Sequence, residues 1–308
     1  MSSEKKIAKA TLVNFNKNFY RGLHKKFPEI TKKRVSSTIS LNDIPIKNLE
    51  NKIAIDIGCG ALGLGALNLI KLGIKSIYLF DLNKKNTLDA KKNILREIGP
   101  QKRIEIKCLS GNLENFKFKN SFFDVALCQG VLHHIEKDQK SLKNIYNSLK
   151  KRGVLILTVR GKGGLITDIT YNVLAKNYHS DTRVKFFFNS IFKDPKNIKK
   201  FIFFLKKNSD LKTKKFLNYF EQLAMNGDFL QTLEDRIKSL KYKQYSYYEI
   251  KQKLKKEKFK NIKKTVKFNH KYKNIRSMFN SFYLNKTHNY SKIFYGNDSS
   301  HINLTCIK

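Results

Sequence analysis

The 308-residue sequence predicts an α/β protein: a doubly wound, mostly parallel sheet with helices on both faces. Three observations carry this. Short apolar runs alternate with helical patterns from Ile53 to Val159, as expected of parallel strands joined by crossover helices. The first run, Ile53-Ala54-Ile55, enters Asp56 and then a turn holding Gly58, Gly60, Gly63 and Gly65. The second run, Ser76 to Phe80, ends in Asp81, 25 positions after Asp56. Both acids fall at strand ends, where sheets of this kind take their ligands.

Residues 1–48 read as a helix and a loop, with Leu12, Phe15, Phe19 and Leu23 forming an apolar stripe that would pack on the core or close over a ligand. The core, residues 49–160, begins with a strand to Ile57, a helix through Leu72 and the strand Ser76 to Phe80. A helix from Lys84 to Ile98 and a strand at Arg103 to Lys107 follow, then the turn Ser110-Gly111-Asn112-Leu113. Phe122 to Cys128 reads as the next strand, Val131 to Leu149 as one helix and Val154 to Val159 as the fifth strand.

Residues 161–244 read as a helical insertion over the substrate. They open with a flexible Gly161-Lys162-Gly163-Gly164 and hold two apolar clusters, Val184 to Phe192 and Phe201 to Leu205, with lysines beside them. Helical hairpins building a lid, or a surface facing lipid, both suit that pattern. Residues 245–308 complete the core sheet: Ser246 and Glu249 make a capping box for a helix through Lys256, and strands follow at Asn261 to Phe268 and His301 to Ile307. A long aromatic linker, Asn269 to Asp298, separates these strands.

Glycines in the first turn let backbone approach a ligand closely, and the helix behind them offers free N–H groups. A dinucleotide site would use similar spacing, with Asp81 on a ribose. The later segments separate the readings: Asn112 follows Gly111 after the third strand, and Gln129-Gly130-Val131-Leu132-His133-His134-Ile135 follows the fourth. Together with Asp56-Ile57-Gly58-Cys59-Gly60, this ordered set resembles the class I S-adenosylmethionine-dependent methyltransferases over Leu49 to Arg160.

The resemblance implies a Rossmann-like sheet of seven strands whose last strand is antiparallel and slots in beside the fifth. It implies S-adenosyl-L-methionine as cofactor, with Asp56, Gly58, Cys59 and Gly60 around the methionine part and Asp81 on the ribose hydroxyls. Leu82 would pack on the adenine, Asn112 and Leu113 would meet its edge, and Gln129 would lie near the sulfonium. The family's further glycine falls here at Gly63 rather than at Leu62, which implies a turn one residue longer.

No catalytic residue follows from these motifs. His133 and His134 stand just past the fourth strand, where a base for a hydroxyl or ammonium nucleophile would act, and Tyr171, Tyr178 and His179 are weaker candidates. Gln129-Gly130-Val131 stands where methyltransferases of exocyclic base amines carry Asn/Asp-Pro-Pro-Tyr, and no Pro-Cys pair offers a nucleophile for cytosine C5. The expected acceptor is therefore a small or lipid-like molecule, with RNA modification as the alternative.

The net charge of +39 and pI near 10.0 would attract RNA or an anionic membrane surface. The 63 basic residues are spread along the chain, and 54 of them are lysine rather than the arginine that nucleic-acid readers favour. Cys59, Cys108, Cys128 and Cys306 lie far apart, which suggests reduced thiols and no metal site. No leader pattern opens the chain and no run approaches the roughly 18 apolar residues of a membrane span, so a cytoplasmic protein is expected. Nothing in the sequence specifies an oligomeric state.

Overall fold

Strand β1 (Ile53–Ile57) is central because both of its faces are apolar: Ala54 enters one core, and Ile55 and Ile57 enter the other. Strands buried on both sides read as continuous apolar runs rather than alternating ones. The computed structural model describes residues 44–46, 48–99, 103–194, 196–224, 233–234, 236–238, 243–265 and 301–308. Beyond β1 its strands are β2 (Ser76–Asp81), β3 (Glu105–Ser110), β4 (Phe123–Gln129), β5 (Leu149–Arg160), β6 (Lys260–Lys264) and β7 (His301–Ile307). They form one sheet in the order β3-β2-β1-β4-β5-β7-β6.

The first five strands pair in parallel, with Asp56 in register between Leu79 and Leu127. β7 runs antiparallel between β5 and β6, as the resemblance implies, and pairs Arg160 with His301. Sheet order reverses direction between β1 and β4, which opens a crevice at the carboxyl ends of the central strands.

On one face, α1 (Leu64–Lys71) and α2 (Lys84–Ile98) bury Leu67, Leu69, Ile70, Ala90 and Ile94 against the sheet. The Asn83 side chain caps α2 by accepting from the Lys85 N–H, and Gly99 at φ 75° ends it. On the other face lie α3 (Asp138–Ser148), with Leu142 and Ile145, and a C-terminal helix carrying Ile250 and Leu254.

Between β5 and that helix the described residues form α4 (Leu165–Asp168), a π-helical turn at Ile169–Ala175, α5 (Lys176–Ser180), α6 (Thr182–Lys193), α7 (Lys196–Lys207) and α8 (Leu211–Ala224). A small core of Ile191, Ile198, Ile202 and Leu217 holds α6, α7 and α8 together. The chain leaves the sheet at Gly161 and returns at Tyr245, where the Tyr245 N–H donates to the Arg160 carbonyl and the Lys162 N–H to the Tyr245 carbonyl. The C-terminal helix is α9 (Tyr247–Lys256), opened by the reciprocal Ser246–Glu249 box at 2.7 and 3.1 Å.

Some expected boundaries move. The single helix expected from Val131 to Leu149 is instead a 3-10 turn at Leu132–His134, an extended Ile135 and then α3. The break follows from a distant partner: buried Glu114 takes the Lys137 N–H at 2.8 Å and holds the chain off its helical path. β3 starts two residues later and ends three residues later than expected, and β5 begins at Leu149, with an irregularity between Phe123 and Val125 in its pairing with β4. The stripe at 12–23, the linker at 269–298 and residues 266–268 of the expected sixth strand lie outside the described residues.

Candidate functional site

The end of β1 forms the floor of the crevice. Asp56 is 3% exposed, and its Oδ2 accepts the Ala66 N–H at 2.8 Å in the first turn of α1. Burial pushes this carboxyl up to about 7; the Ala66 N–H opposes that shift and the nearby Asp81 charge adds to it. The fit needs glycine: a Cβ on Gly65 would stand 2.5 Å from Leu127 Cδ2 and 3.0 Å from Asp56 Oδ2.

The turn after β1 is left-handed at Gly58, Gly60 and Gly63, with φ of 73°, 60° and 57°. At Gly58 the demand is also steric, because a Cβ would lie 2.1 Å from Val131 Cγ2. The Gly58 and Cys59 N–H groups both donate to the Phe80 carbonyl, at 2.7 and 3.1 Å, drawing the turn over the end of β2. Cys59 is buried there, and burial raises its thiol well above the usual range.

Asp81 joins three segments. Its Oδ2 accepts the Gly60 N–H at 3.0 Å, and its Oδ1 accepts the Asn83 N–H at 2.9 Å and Asn86 Nδ2 at 3.0 Å. Its carbonyl takes the Gly111 N–H at 3.1 Å, which brings the turn after β3 alongside. Burial raises this carboxyl too, against donors from Asn83, Asn86, Gly60 and Leu82. Leu82 is half-buried beside it. In the neighbouring turn Asn112 Oδ1 accepts the Glu114 N–H at 3.0 Å, and Leu113 is buried.

The side beyond β4 differs in character. Gln129 is half-buried at the strand end, and Gly130, at φ 72°, has open space where a Cβ would point. His133 is 2% exposed, with its ring centroid 4.3 Å from that of half-buried His134. Burial, followed by the neighbouring His134, His301 and Arg160, holds the His133 imidazole well below the usual range, so it is neutral near pH 7.

Arg160 is 1% exposed at the end of β5, with Nη1 3.5 Å from His301 Nε2 and its guanidinium 5.6 Å from the Tyr171 ring centroid. The π-helical turn carries Tyr171, and such bulges recur at functional sites. The sequence points only weakly to Tyr171 and not to Arg160 or His301; the one signal is an arginine closing the mostly apolar run Val154 to Val159. Tyr178 and His179 lie elsewhere: Tyr178 is buried and donates to Asn189 Oδ1 at 2.9 Å, in the packing of α5 on α6.

The structure thus brings Asp56, Gly58, Cys59, Gly60, Asp81, Leu82, Asn112, Leu113 and Gln129 to the carboxyl ends of β1 to β4, with His133 and His134 at the rim. A cleft of about 690 Å³ occupies the opposite edge of the sheet, lined by Glu50, Lys75, Arg103 and Glu105 at strand amino ends. Ligands of doubly wound sheets bind at the carboxyl ends, so the glycine-turn crevice is the candidate site. Among the described residues no group of His, Cys, Asp and Glu side chains forms a metal site.

Residues 55–157 match the family described as "Methyltransferase domain". An uncharacterized protein of Methanocaldococcus jannaschii is 30% identical over 145 residues, 46% of this chain and 56% of that protein. A tRNA U34 carboxymethyltransferase of Helicobacter acinonychis is 34% identical over 113 residues, 36% of this chain and 41% of that one. A ubiquinone biosynthesis O-methyltransferase of Rickettsia canadensis is 23% identical over 133 residues, 41% of this chain and 53% of that one. The chain thus spans about half the length of the curated relatives it matches.

Proposed function

We propose that this chain, whose residues 55–157 match a methyltransferase domain, is a class I S-adenosylmethionine-dependent methyltransferase and transfers the cofactor's methyl group to a small-molecule or lipid-like acceptor. The observation that carries the reading is the unit of Asp81, the Gly58–Gly63 turn and Asp56, assembled at the carboxyl end of the sheet. The cofactor, when bound, supplies a methyl group already activated on a sulfonium.

The residues present fit such a ligand. Asp81 Oδ1 already accepts from Asn83 and Asn86, while Oδ2 keeps a lone pair beside the Gly60 N–H, which suits a ribose hydroxyl. Leu82, with Asn112 and Leu113 across the crevice, offers an apolar edge and an amide to an adenine. Asp56, Gly58, Cys59 and Gly60 would surround the methionine part. Buried Asp56 sits in an environment that resists its ionisation, and a ligand ammonium would favour the charged form. Gln129 would face the reacting centre from the end of β4.

Methyl transfer from a sulfonium chiefly needs alignment and exclusion of water. The buried side beyond β4 and β5 provides a dry boundary. The depressed basicity of His133 argues against it as the group that takes a proton, so its place is in shaping the rim. We assign the helical segment 161–244 to the acceptor side, because both of its ends meet at Arg160 and Tyr245 beside that rim.

Calorimetry with S-adenosylmethionine and S-adenosylhomocysteine tests the reading. Micromolar binding to the parent protein, weakened by Asp81→Ala, is expected; absence of binding overturns it. A second reading, RNA modification, is favoured by the +39 charge and by the relative named as a tRNA carboxymethyltransferase. It requires RNA binding that weakens steeply with salt, and salt-insensitive or absent binding removes it.

A further inference from the structure

Among the described residues thirteen large apolar side chains are exposed, and ten of them lie between Leu165 and Phe216. All six exposed phenylalanines fall between Phe186 and Phe216. Apolar residues scattered singly over a surface need no explanation, whereas a concentrated group marks an interaction site. This group is not the inward stripe of the helices, since Ile191, Ile198, Ile202 and Leu217 already form the core they share.

The exposed rings join across helices. Phe187 of α6 meets Phe201 of α7 edge to face, at 5.5 Å between centroids, and Phe204 lies one turn beyond Phe201 on the same side. Phe186, Phe203 and Phe204 are 78%, 72% and 64% exposed. Lysines bracket them at helical spacing: Lys199 and Lys207 stand one turn either side of Phe203, and Lys200 and Lys207 do so for Phe204. Residues 182–224 hold eleven basic and three acidic residues, a net +8.

We propose that this face of α6 and α7 docks onto an anionic lipid surface. Phenylalanine has no hydrogen-bonding group and gains most from hydrocarbon, while lysine stems lie along apolar surface and carry their ammonium groups to phosphates. Charge complementarity selects the anionic lipid. A nucleic acid fits less well: ten of the eleven basic residues in this span are lysine, and the single arginine, Arg183, is engaged with Asp181 at 2.9 Å. The proposal is independent of the acceptor chosen by the crevice.

Sedimentation of the whole chain with vesicles tests it without any cofactor, so its outcome is separate from that of the methyltransferase reading. Vesicles with about a third phosphatidylglycerol should bind it at least about tenfold more tightly than phosphatidylcholine alone, and less tightly as salt is raised. Replacing Phe203→Gln and Phe204→Gln together should weaken binding by about tenfold or more, whereas Leu88→Gln, exposed on α2, should not. Equal binding to neutral vesicles, no vesicle binding, or full binding by the double variant overturns the proposal. Binding of a single-stranded RNA that the double variant loses, with vesicles ignored, overturns it in favour of a nucleic-acid surface.

Discussion

Asp81 Oδ2 accepts the backbone N–H of Gly60 at 3.0 Å, so the acid ending β2 and the glycine turn following β1 are one structural unit. The carboxylate that would hold a ribose also sets the turn that would hold the methionine part of the same ligand. Loss of either should therefore disturb both ends of the cofactor.

Asp81→Ala removes the acceptor for Gly60, Asn83 and Asn86 together. Hydrogen bonds to a charged group contribute about 1.5–3 kcal/mol, so S-adenosylhomocysteine affinity should fall by about 10- to 100-fold, read by calorimetry. An unchanged dissociation constant would remove Asp81 from the site.

Gly58→Ala places a Cβ 2.1 Å from Val131 Cγ2 at a backbone φ of 73°. Overpacking and left-handed strain together should cost about 1–3 kcal/mol, seen as a lowered urea midpoint. Adding Val131→Ala should recover the steric part and leave the backbone part. If the pair of substitutions proves simply additive, the two residues do not meet.

Burial, chiefly, raises the Asp56 carboxyl from its ordinary 3.8 to about 7. Between those two values the folded state binds the proton and the unfolded state does not. Its contribution is therefore fully present below about pH 4 and is lost as pH rises through about 7, at about 1.4 kcal/mol per pH unit in between. Urea midpoints of the parent should fall across that window relative to Asp56→Asn. Parallel pH profiles for the two proteins would refute the raised value.

Tyr245 donates to Asp138 Oδ2 at 2.8 Å, and Lys253 and Lys243 stand 3.1 and 3.3 Å from the same carboxylate. This buried cluster ties the end of the helical segment to the start of α3, and the Tyr245 hydroxyl and lysines hold Asp138 below the usual carboxylate range despite its burial. Tyr245→Phe should cost about 1–2 kcal/mol, and Asp138→Ala more, since it strands the hydroxyl. Equal melting temperatures for parent and Tyr245→Phe would contradict this.

The elements that the sequence announced were those whose signals are local. Helix α2 runs over Lys84–Ile98 as expected, because Asn83 caps it and Gly99 ends it within a few residues of its own pattern. The Ser246–Glu249 box and the apolar run of β1 are equally short-range. A continuous helix is expected at 131–149 because Leu132, Leu142 and Ile145 keep a plausible spacing, whereas the Lys137 N–H goes to Glu114, 23 positions earlier, at the point of interruption.

By itself the sequence determined the strand–glycine turn–helix unit, the acids at the ends of β1 and β2 and the alternation that makes the sheet parallel. These follow from hydrophobic period and backbone freedom, which act over a few residues. Tertiary structure alone decided which groups share a site beyond β4. Arg160 and His301 stand 141 positions apart, and they meet because β7 pairs antiparallel with β5 at that register. Strand pairing over such distances is set by the packing of both sheet faces at once, and no short window of residues carries that information.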